Sequence, residues 1–454
     1  MSTKEKAVNQ ITEGVIWKQL LFFFFPIMLG TLFQQLYNTA DAVVVGRFVG
    51  PRALAAVGGS TGQMVNLIVG FFVGLSSGAT VIIARYYGAK NKKDLNDTLH
   101  TAAALSVAGG ILITIAGILF TPSMLKIMKT PADVMADSAT YLRIYFGGII
   151  FVFIYNVGSA ILRAVGDSTR PLYFLIACCF INIFLDVLLV VGFNMGVAGA
   201  AIATVVSQAV SAVLVIWALL KSTDMYCLHP KEIRFHKFLL VSIITIGLPA
   251  GIQSVMYNLA NMIIQTSLND LGTSTMAAYT AFGKIDAIYW MISGAFSVSI
   301  TTFIGQNYGA QKYDRMKKSV KICLFMDFLA SILVSALLLF FGEYLLRLFT
   351  TDPEVLKIGM KIIHIIAPSY VLFIFIEILS STLRGIGNVL VPMLMTCGGV
   401  CILRIIWIFF VVPHRPGVSN ILLCYPISWG LTAVLFILYY YTQQKKFFHA
   451  HQQI

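Results

Sequence analysis

Five acidic residues lie inside long apolar stretches of the sequence: Asp41, Asp186, Asp286, Asp327 and Glu377. If these stretches cross a membrane, each carboxylate costs several kcal/mol unless it has a partner or a function. The other acids fall in polar loops and tails, where solvation accounts for them. The five embedded acids are therefore the first candidates for a functional site.

Four polar residues are predicted to meet at one depth. Asn182 precedes Asp186 by four residues, so both project from one face of a helix. At ~1.5 Å per residue, Asp41 lies roughly 7 Å and Asp186 roughly 9 Å from the outer ends of their helices, and Thr204 lies roughly 10 Å below the start of the next helix. Three helices thus bring these four side chains together.

This set of side chains predicts a site for a coupling ion, either H⁺ or Na⁺, at Asp41, Asn182, Asp186 and Thr204. Two neighbouring carboxylates can share a proton, and carboxylate, amide and hydroxyl oxygens are equally good ligands for Na⁺. The alternative is a structural role, in which the same groups only hydrogen-bond one another and nearby tyrosines. The sequence leaves these alternatives open.

Other embedded residues have weaker assignments. Glu377 is a candidate for contact with a cationic substrate or for structural hydrogen bonding, and Asp286 for cavity lining. Asp327 and Arg404 are expected at interlobe or headgroup contacts rather than in chemistry. Pro26 kinks the first helix and is either a hinge or a static bend. The candidate substrate-cavity residues are Gln34, Tyr37, Asn38, Gln253, Tyr257, Asn258, Asn261, Asp286 and Glu377.

The composition indicates the elements that must position these residues. The chain has 454 residues, of which 58% are hydrophobic and 11% charged, against about 25% charged in soluble domains. A soluble enzyme, a disordered chain and a disulfide-stapled domain are excluded. Apolar blocks of about twenty residues predict an all-α integral membrane protein. The predicted spans are 18–45, 54–82, 97–120, 138–162, 171–192, 197–220, 238–267, 275–304, 319–341, 358–383, 390–412 and 420–442.

The distribution of basic residues predicts how these spans are oriented. With the N-terminus inside, the inner segments hold 21 Lys and Arg and the outer segments nine, which favours both termini in the cytoplasm of a cell-membrane protein. The net charge of +13 then reflects topology, and nucleic acid is not an expected partner. The scattered cysteines predict neither a disulfide framework nor a zinc site.

The sequence contains an internal duplication. At an offset of 221, residues 87–89 repeat as 308–310, and 162–166 (LRAVG) repeat as 383–387 (LRGIG). Six spans per repeat make the two repeats parallel, an arrangement typical of transporters that rock two lobes around a central cavity. The predicted domains are an N-lobe at 1–220 with helices 1–6, a cytoplasmic linker at 221–237, and a C-lobe at 238–454 with helices 7–12 and a short tail.

The sequence carries no phosphate-binding loop and no zinc-protease motif. We therefore expect no enzyme activity and no cofactor beyond the coupling ion. Two alternatives to an exporter remain open. A flippase for lipid-linked oligosaccharides would be expected to show basic residues in its cavity, whereas only Lys284 and Arg404 are expected to be buried, against five acids, which favours cationic substrates. An ion-coupled importer would differ in the direction of transport.

Several motifs resemble the multidrug and toxic compound extrusion (MATE) family: FFFFPIMLGTLFQQLYNTADAVVVGRFVG, YYGAKN, LRAVGDSTRP, LRGIGN and IGLPAGIQ. The resemblance covers nearly the whole chain. It implies a secondary antiporter that exports cationic or amphipathic organic compounds in exchange for inward H⁺ or Na⁺, with the bilayer as its environment. A monomer is our default expectation, because each chain carries both lobes.

The resemblance also bears on particular residues. The N-lobe cation site of the family matches Asp41, Asn182, Asp186 and Thr204, and Pro26 matches a helix 1 proline linked to bending in the DinF-like branch. The NorM-like branch has a carboxylate on helix 7 where this chain has Tyr257. The resemblance therefore favours the DinF-like branch.

Overall fold

The computed structural model describes residues 11–449, and within them twelve helices are long and apolar enough to cross a membrane. The predicted all-α, twelve-span membrane fold is confirmed. The basic residues Lys4 and Lys6, which contributed to the predicted orientation, lie outside the described residues. The helices are α1 Ile16–Val49, α2 Pro51–Gly88, α3 Lys92–Ile127, α4 Met135–Ala164, α5 Thr169–Gly192, α6 Gly196–Leu220, α7 Lys237–Asn269, α8 Thr273–Gly309, α9 Tyr313–Arg347, α10 Pro353–Gly385, α11 Leu390–His414 and α12 Val418–Gln443.

Most helices extend beyond their predicted apolar spans. Helix α3 begins at Lys92 rather than at residue 97, because Asn91 caps it by accepting a hydrogen bond from the backbone N–H of Asp94 at 3.2 Å. Hydropathy marks only the segment in hydrocarbon, whereas the helix continues through polar residues until a cap or a turn ends it.

Three helices of the described chain contain π-helical turns, which the sequence did not predict. These turns cover Val45–Val49 in α1, Val187–Gly192 in α5, and both Cys397–Ile402 and Trp407–Val411 in α11. A π-turn inserts one residue per hydrogen-bonded turn and therefore rotates the side chains that follow it; such turns are frequent at functional sites.

The chain divides into two compact units. Unit 1 contains Phe25–Gly251, and unit 2 contains Ile11–Phe24 together with residues 252–449. The first part of α1 thus belongs to unit 2, and the first part of α7 belongs to unit 1. Both divisions fall close to a proline, since Pro26 is the second residue after the change in α1 and Pro249 lies two residues before the end of unit 1 in α7.

Unit 1 is built on close contacts between small and branched residues. Gly148 and Gly158 of α4 lie against Val205 and Val215 of α6, and Cβ atoms added at these glycines would approach the valine side chains to 2.3 and 2.8 Å. In a membrane, where lipid is as apolar as the helices, such close packing supplies much of the association energy. Helix α4 is therefore central to unit 1.

The first part of α7 packs on α2 at backbone distance within unit 1. A Cβ added at Gly78 would lie 2.2 Å from the carbonyl oxygen of Ile243, and one added at Gly247 would lie 2.2 Å from that of Leu75. Only glycine allows this approach.

The segment that precedes α7 is also bound to unit 1. His100 of α3 accepts a hydrogen bond at Nε2 from the backbone N–H of His229 at 2.9 Å, and Asn96 donates from Nδ2 to Glu232 at 3.1 Å. The predicted linker at 221–237 thus packs against the N-terminal part of α3.

Unit 2 holds the start of the described chain in a comparable way. Arg315 of α9 donates to the backbone carbonyl oxygens of Ile11, Glu13 and Gly14 at 3.1, 2.8 and 2.8 Å. Because the division by contacts runs through α1 and α7, the predicted lobe boundary at 221–237 stays a prediction.

Gly247→Val tests the backbone contact between α7 and α2. We expect the substitution to lower the free energy of unfolding by about 1–3 kcal/mol, because overpacking forces the two backbones apart. The measurement is thermal unfolding of the purified protein in detergent. The matched control is Gly294→Val, since nothing lies within 4 Å of a Cβ at Gly294; equal losses for both variants would contradict the assignment.

Candidate ion-binding site

Three helices carry the four predicted site residues, all of which belong to unit 1: α1 carries Asp41, α5 carries Asn182 and Asp186, and α6 carries Thr204. All four are nearly inaccessible, with exposures of 6, 0, 0 and 5%. The π-turn of α5 begins directly after Asp186, and that of α1 begins at Val45, four residues after Asp41. The backbone register therefore shifts just beyond each carboxylate.

A direct contact joins α1 to α6 at this point. Thr204 Oγ1 lies 3.1 Å from Asp41 Oδ2 and 3.0 Å from the backbone carbonyl oxygen of Ala200. The hydroxyl has a single proton, so it can donate to only one of these oxygens at a time. Thr204 can therefore serve Asp41 either as a donor or, with its proton turned to Ala200, as a further ligand oxygen.

The helix α5 side chains complete the cluster. Asp186 and Asn182 are immediate side-chain neighbours of Asp41. Even so, Asp41 Oδ1, both carboxylate oxygens of Asp186 and both amide atoms of Asn182 have no hydrogen-bond partner within the described residues. Buried polar atoms are normally paired.

The chemistry of the cluster follows from this excess of acceptors. Neither Asp41 nor Asp186 forms an ion pair with a basic side chain among residues 11–449. Two adjacent carboxylates without a counter-charge are stabilised by a positive charge, which a shared proton or a Na⁺ ion would supply. Within the same residues no group of three His, Cys, Asp or Glu side chains could hold a metal ion, so a Na⁺ site here would depend on the amide and hydroxyl oxygens.

Buried tyrosines surround the cluster. Tyr141 of α4 lies beside Asp41 and Thr204, and its ring stacks on Tyr145 with 6.2 Å between centroids. Tyr37 accepts a hydrogen bond at its hydroxyl from Gln208 Nε2 at 3.1 Å. Sequence reasoning did not identify Tyr141, because a tyrosine in an apolar helix carries no signal of its own.

The candidate cavity residues divide between the units. Gln34, Tyr37 and Asn38 belong to unit 1; Gln253, Tyr257, Asn258, Asn261, Asp286 and Glu377 belong to unit 2. Tyr257 and Glu377 are electrostatic neighbours. Asn258 donates to the carbonyl oxygen of Ser254 on its own helix at 2.9 Å. Their lining of a common cavity stays a prediction.

Asp286 has two hydrogen-bond partners. Trp290 donates to it from Nε1 at 2.7 Å, and the hydroxyl of Tyr370 donates to its other oxygen. The Trp290 partner follows from its spacing of four residues on the same helix, whereas Tyr370 comes from α10 and could not be found in that way.

The burial of Asp327 and Arg404 contradicts the expectation that they contact lipid headgroups, whereas the alternative, interlobe contacts, stays a prediction. Their exposures are 0 and 2%, and the neighbours of both lie in unit 2. Both oxygens of Asp327 lack a hydrogen-bond partner within the described residues. Hydropathy cannot tell a charged residue that faces the protein interior from one that reaches the membrane surface.

The twelve-helix fold with buried polar residues on several helices is that of a polytopic membrane protein. Solved structures share it: "Outward-facing conformation of a multidrug resistance MATE family transporter of the MOP superfamily" aligns with a TM-score of 0.90 at 22% identity, over 98% of this chain and 99% of that one. A MOP superfamily transporter from Pyrococcus furiosus, described as having a binding pocket of reverse polarity, also gives a TM-score of 0.90 at 23% identity, with 98% and 99% covered.

The family model MatE matches residues 26–188 and again residues 249–410. The chain belongs to the MATE family. It is 29% identical to "Probable multidrug resistance protein YoeA" of Bacillus subtilis over 98% of both chains, and 23% identical to "Multidrug export protein MepA" of Staphylococcus aureus over 96% of both. The two matched segments correspond to the two sequence repeats.

Ion binding by the cluster can be tested on single side chains. Asp41→Asn should weaken the binding of the ion about tenfold or more, and Thr204→Ala about fivefold, because the first variant removes a charge and the second a single neutral oxygen. Two measurements on the purified protein cover the two candidate ions: binding of ²²Na⁺ and release of protons. Asp133→Asn, an exposed loop acid, is the control; an unchanged ion affinity of Asp41→Asn would contradict the site.

Proposed function

We propose that this protein is a secondary active antiporter that exports cationic or amphipathic organic compounds in exchange for inward H⁺ or Na⁺. The observation that carries the proposal is the buried cluster of Asp41, Asn182, Asp186 and Thr204 with its excess of acceptors. Membership of the MATE family and the names of the relatives, which refer to multidrug resistance and export, support the same function.

Binding of the ion would act on the helices that carry the ligands. A proton or Na⁺ relieves the repulsion between Asp41 and Asp186 and so favours a closer approach of α1 to α5. Release restores the repulsion. Because Pro26 interrupts the hydrogen bonding of α1, we propose that this helix bends there as the occupancy of the site changes.

Such bending would couple ion flow to the rocking of two lobes, 1–220 and 238–454, around a substrate cavity. An ion that stabilises one conformation shifts the equilibrium only by its difference in affinity between the two states. We propose that the protein is a monomer in the cell membrane, with both termini in the cytoplasm. We also propose that its sequence belongs closer to the DinF-like than to the NorM-like branch of the family. The protein needs no cofactor and performs no enzymatic reaction.

Transport by reconstituted protein tests the function. Liposomes containing the purified protein are loaded with a fluorescent organic cation, and a pH gradient and a Na⁺ gradient are imposed separately. We expect one gradient to drive efflux and thereby to identify the ion. Asp41→Asn should abolish efflux while remaining folded, because it removes the charge that the ion neutralises.

Controls separate the alternatives. Asp133→Asn should transport at the wild-type rate. Efflux by Asp41→Asn at that rate would contradict the site, and uptake along the same gradient would indicate an importer. Failure of the wild type under both gradients would contradict the exporter and favour the flippase, for which transfer of a lipid-linked sugar is the next assay.

A further inference from the structure

A cleft of about 470 Å³ lies in unit 2 between the end of α9 and the start of α10. Glu343 and Arg347 line it from α9, and Leu356, Lys357 and Met360 line it from α10. Its volume falls within the range of sites for small organic groups, about 300–1,000 Å³. None of these residues belongs to the ion-binding cluster or to the predicted substrate cavity, so the proposed export mechanism does not use the cleft.

The cleft lies at the depth of the lipid headgroups. The predicted apolar spans of the two helices end at residue 341 and resume at residue 358, so Glu343, Arg347 and Lys357 fall just outside the hydrocarbon. Helix α9 is also roughly 52 Å long at ~1.5 Å per residue, against about 30 Å for the hydrocarbon core. Its last turn therefore reaches the membrane–water interface.

An apolar stripe runs from the cleft along the outside of α9. Its members are spaced three or four residues apart, which places them on one face of the helix, and their exposures lie between 46 and 76%. They are Leu333, Leu337, Phe341, Tyr344 and Leu348. Tyr344 and Leu348 directly follow Glu343 and Arg347 in the chain, so the stripe lies beside the charged face of the cleft.

The cleft carries an excess of positive charge. Arg347 donates from Nη2 to Glu343 Oε1 at 2.7 Å, and this pair is neutral as a whole. Lys357 forms no ion pair within the described residues. Two nearby acids do not line the cleft: Asp352 caps α10 by accepting from the backbone N–H of Glu354 at 2.9 Å, and Glu354 accepts from a serine hydroxyl of α8 at 3.3 Å.

The first repeat lacks this combination of charges. At the offset of 221, Arg347 corresponds to Lys126, whereas Lys357 corresponds to Ala136. The two basic groups therefore occur together in the second repeat alone. Lys126 keeps one positive charge at the equivalent helix end and is a matched control.

We propose that the cleft binds the headgroup of an anionic phospholipid, with Arg347 and Lys357 on the phosphate and an acyl chain along the apolar stripe of α9. A guanidinium fork and an ammonium group are the usual partners of phosphate oxygens. A lipid with one negative charge and an uncharged head, such as phosphatidylglycerol, balances the net charge of the cleft, whereas a choline head adds a second cation beside Lys357. The stripe favours a lipid over a free phosphodiester, because only the lipid buries apolar surface there.

Photo-crosslinking of the full chain in phosphatidylcholine nanodiscs tests the proposal. The nanodiscs contain a small fraction of phosphatidylglycerol with a diazirine in its acyl chain, and crosslinked peptides are mapped by mass spectrometry. We expect crosslinks between Leu333 and Leu348, at least about fivefold more than with phosphatidylcholine that carries the same diazirine, since a basic residue beside an anionic headgroup contributes about this factor. Arg347→Gln and Lys357→Gln should each lower the yield about threefold or more.

Two further variants and a soluble competitor complete the test. Glu343→Gln should raise the yield about twofold or more, because it frees Arg347 from its ion pair, whereas a purely structural role of that pair predicts no gain. Lys126→Gln should crosslink like the wild type. Equal yields for the two lipids, or a yield that neither Lys357→Gln nor Glu343→Gln changes, overturns the proposal. Loss of the crosslinks on addition of soluble glycerophosphoglycerol at the concentration of the lipid would assign the cleft to a free phosphodiester and overturn the lipid.

Discussion

A carboxylate buried in a membrane protein needs a compensating charge or hydrogen-bond donors. In unit 1, the packing of α1, α5 and α6 depends on how the carboxylates of Asp41 and Asp186 are compensated. Asp41 accepts from the Thr204 hydroxyl and shares its surroundings with a second acid, Asp186. Three helices therefore meet at two carboxylates, which repel each other when both are ionised. Under the proposed function, a bound cation would offset this repulsion, and the relative positions of the three helices would then depend on its presence.

The two units meet the requirement for burying charge in different ways. Unit 1 gathers acids among tyrosines, whereas unit 2 places Arg404 among aromatic rings and Asp286 between Trp290 and Tyr370. The repeated sequence therefore supports different polar chemistry in each half. The two repeats share their loop motifs, whereas their embedded polar residues differ.

Much of the fold could be predicted from the sequence, because hydrocarbon requires long apolar helices and the offset of 221 shows the repeat. The proximity of Asp41 and Thr204 followed from counting residues along helices of known rise. The burial of Arg404 and the role of Tyr370 could not be derived, because they depend on which helix faces come together. The π-turns after Asp41 and Asp186 also escaped prediction, since no residue pattern distinguishes them from regular helix.

The division of α1 and α7 between the units has a consequence for the two halves of the chain. Residues 11–24 pack in unit 2 and the start of α7 packs in unit 1, so neither half of the sequence contains all the residues of one unit. A fragment that ended at the linker would therefore lack part of unit 1.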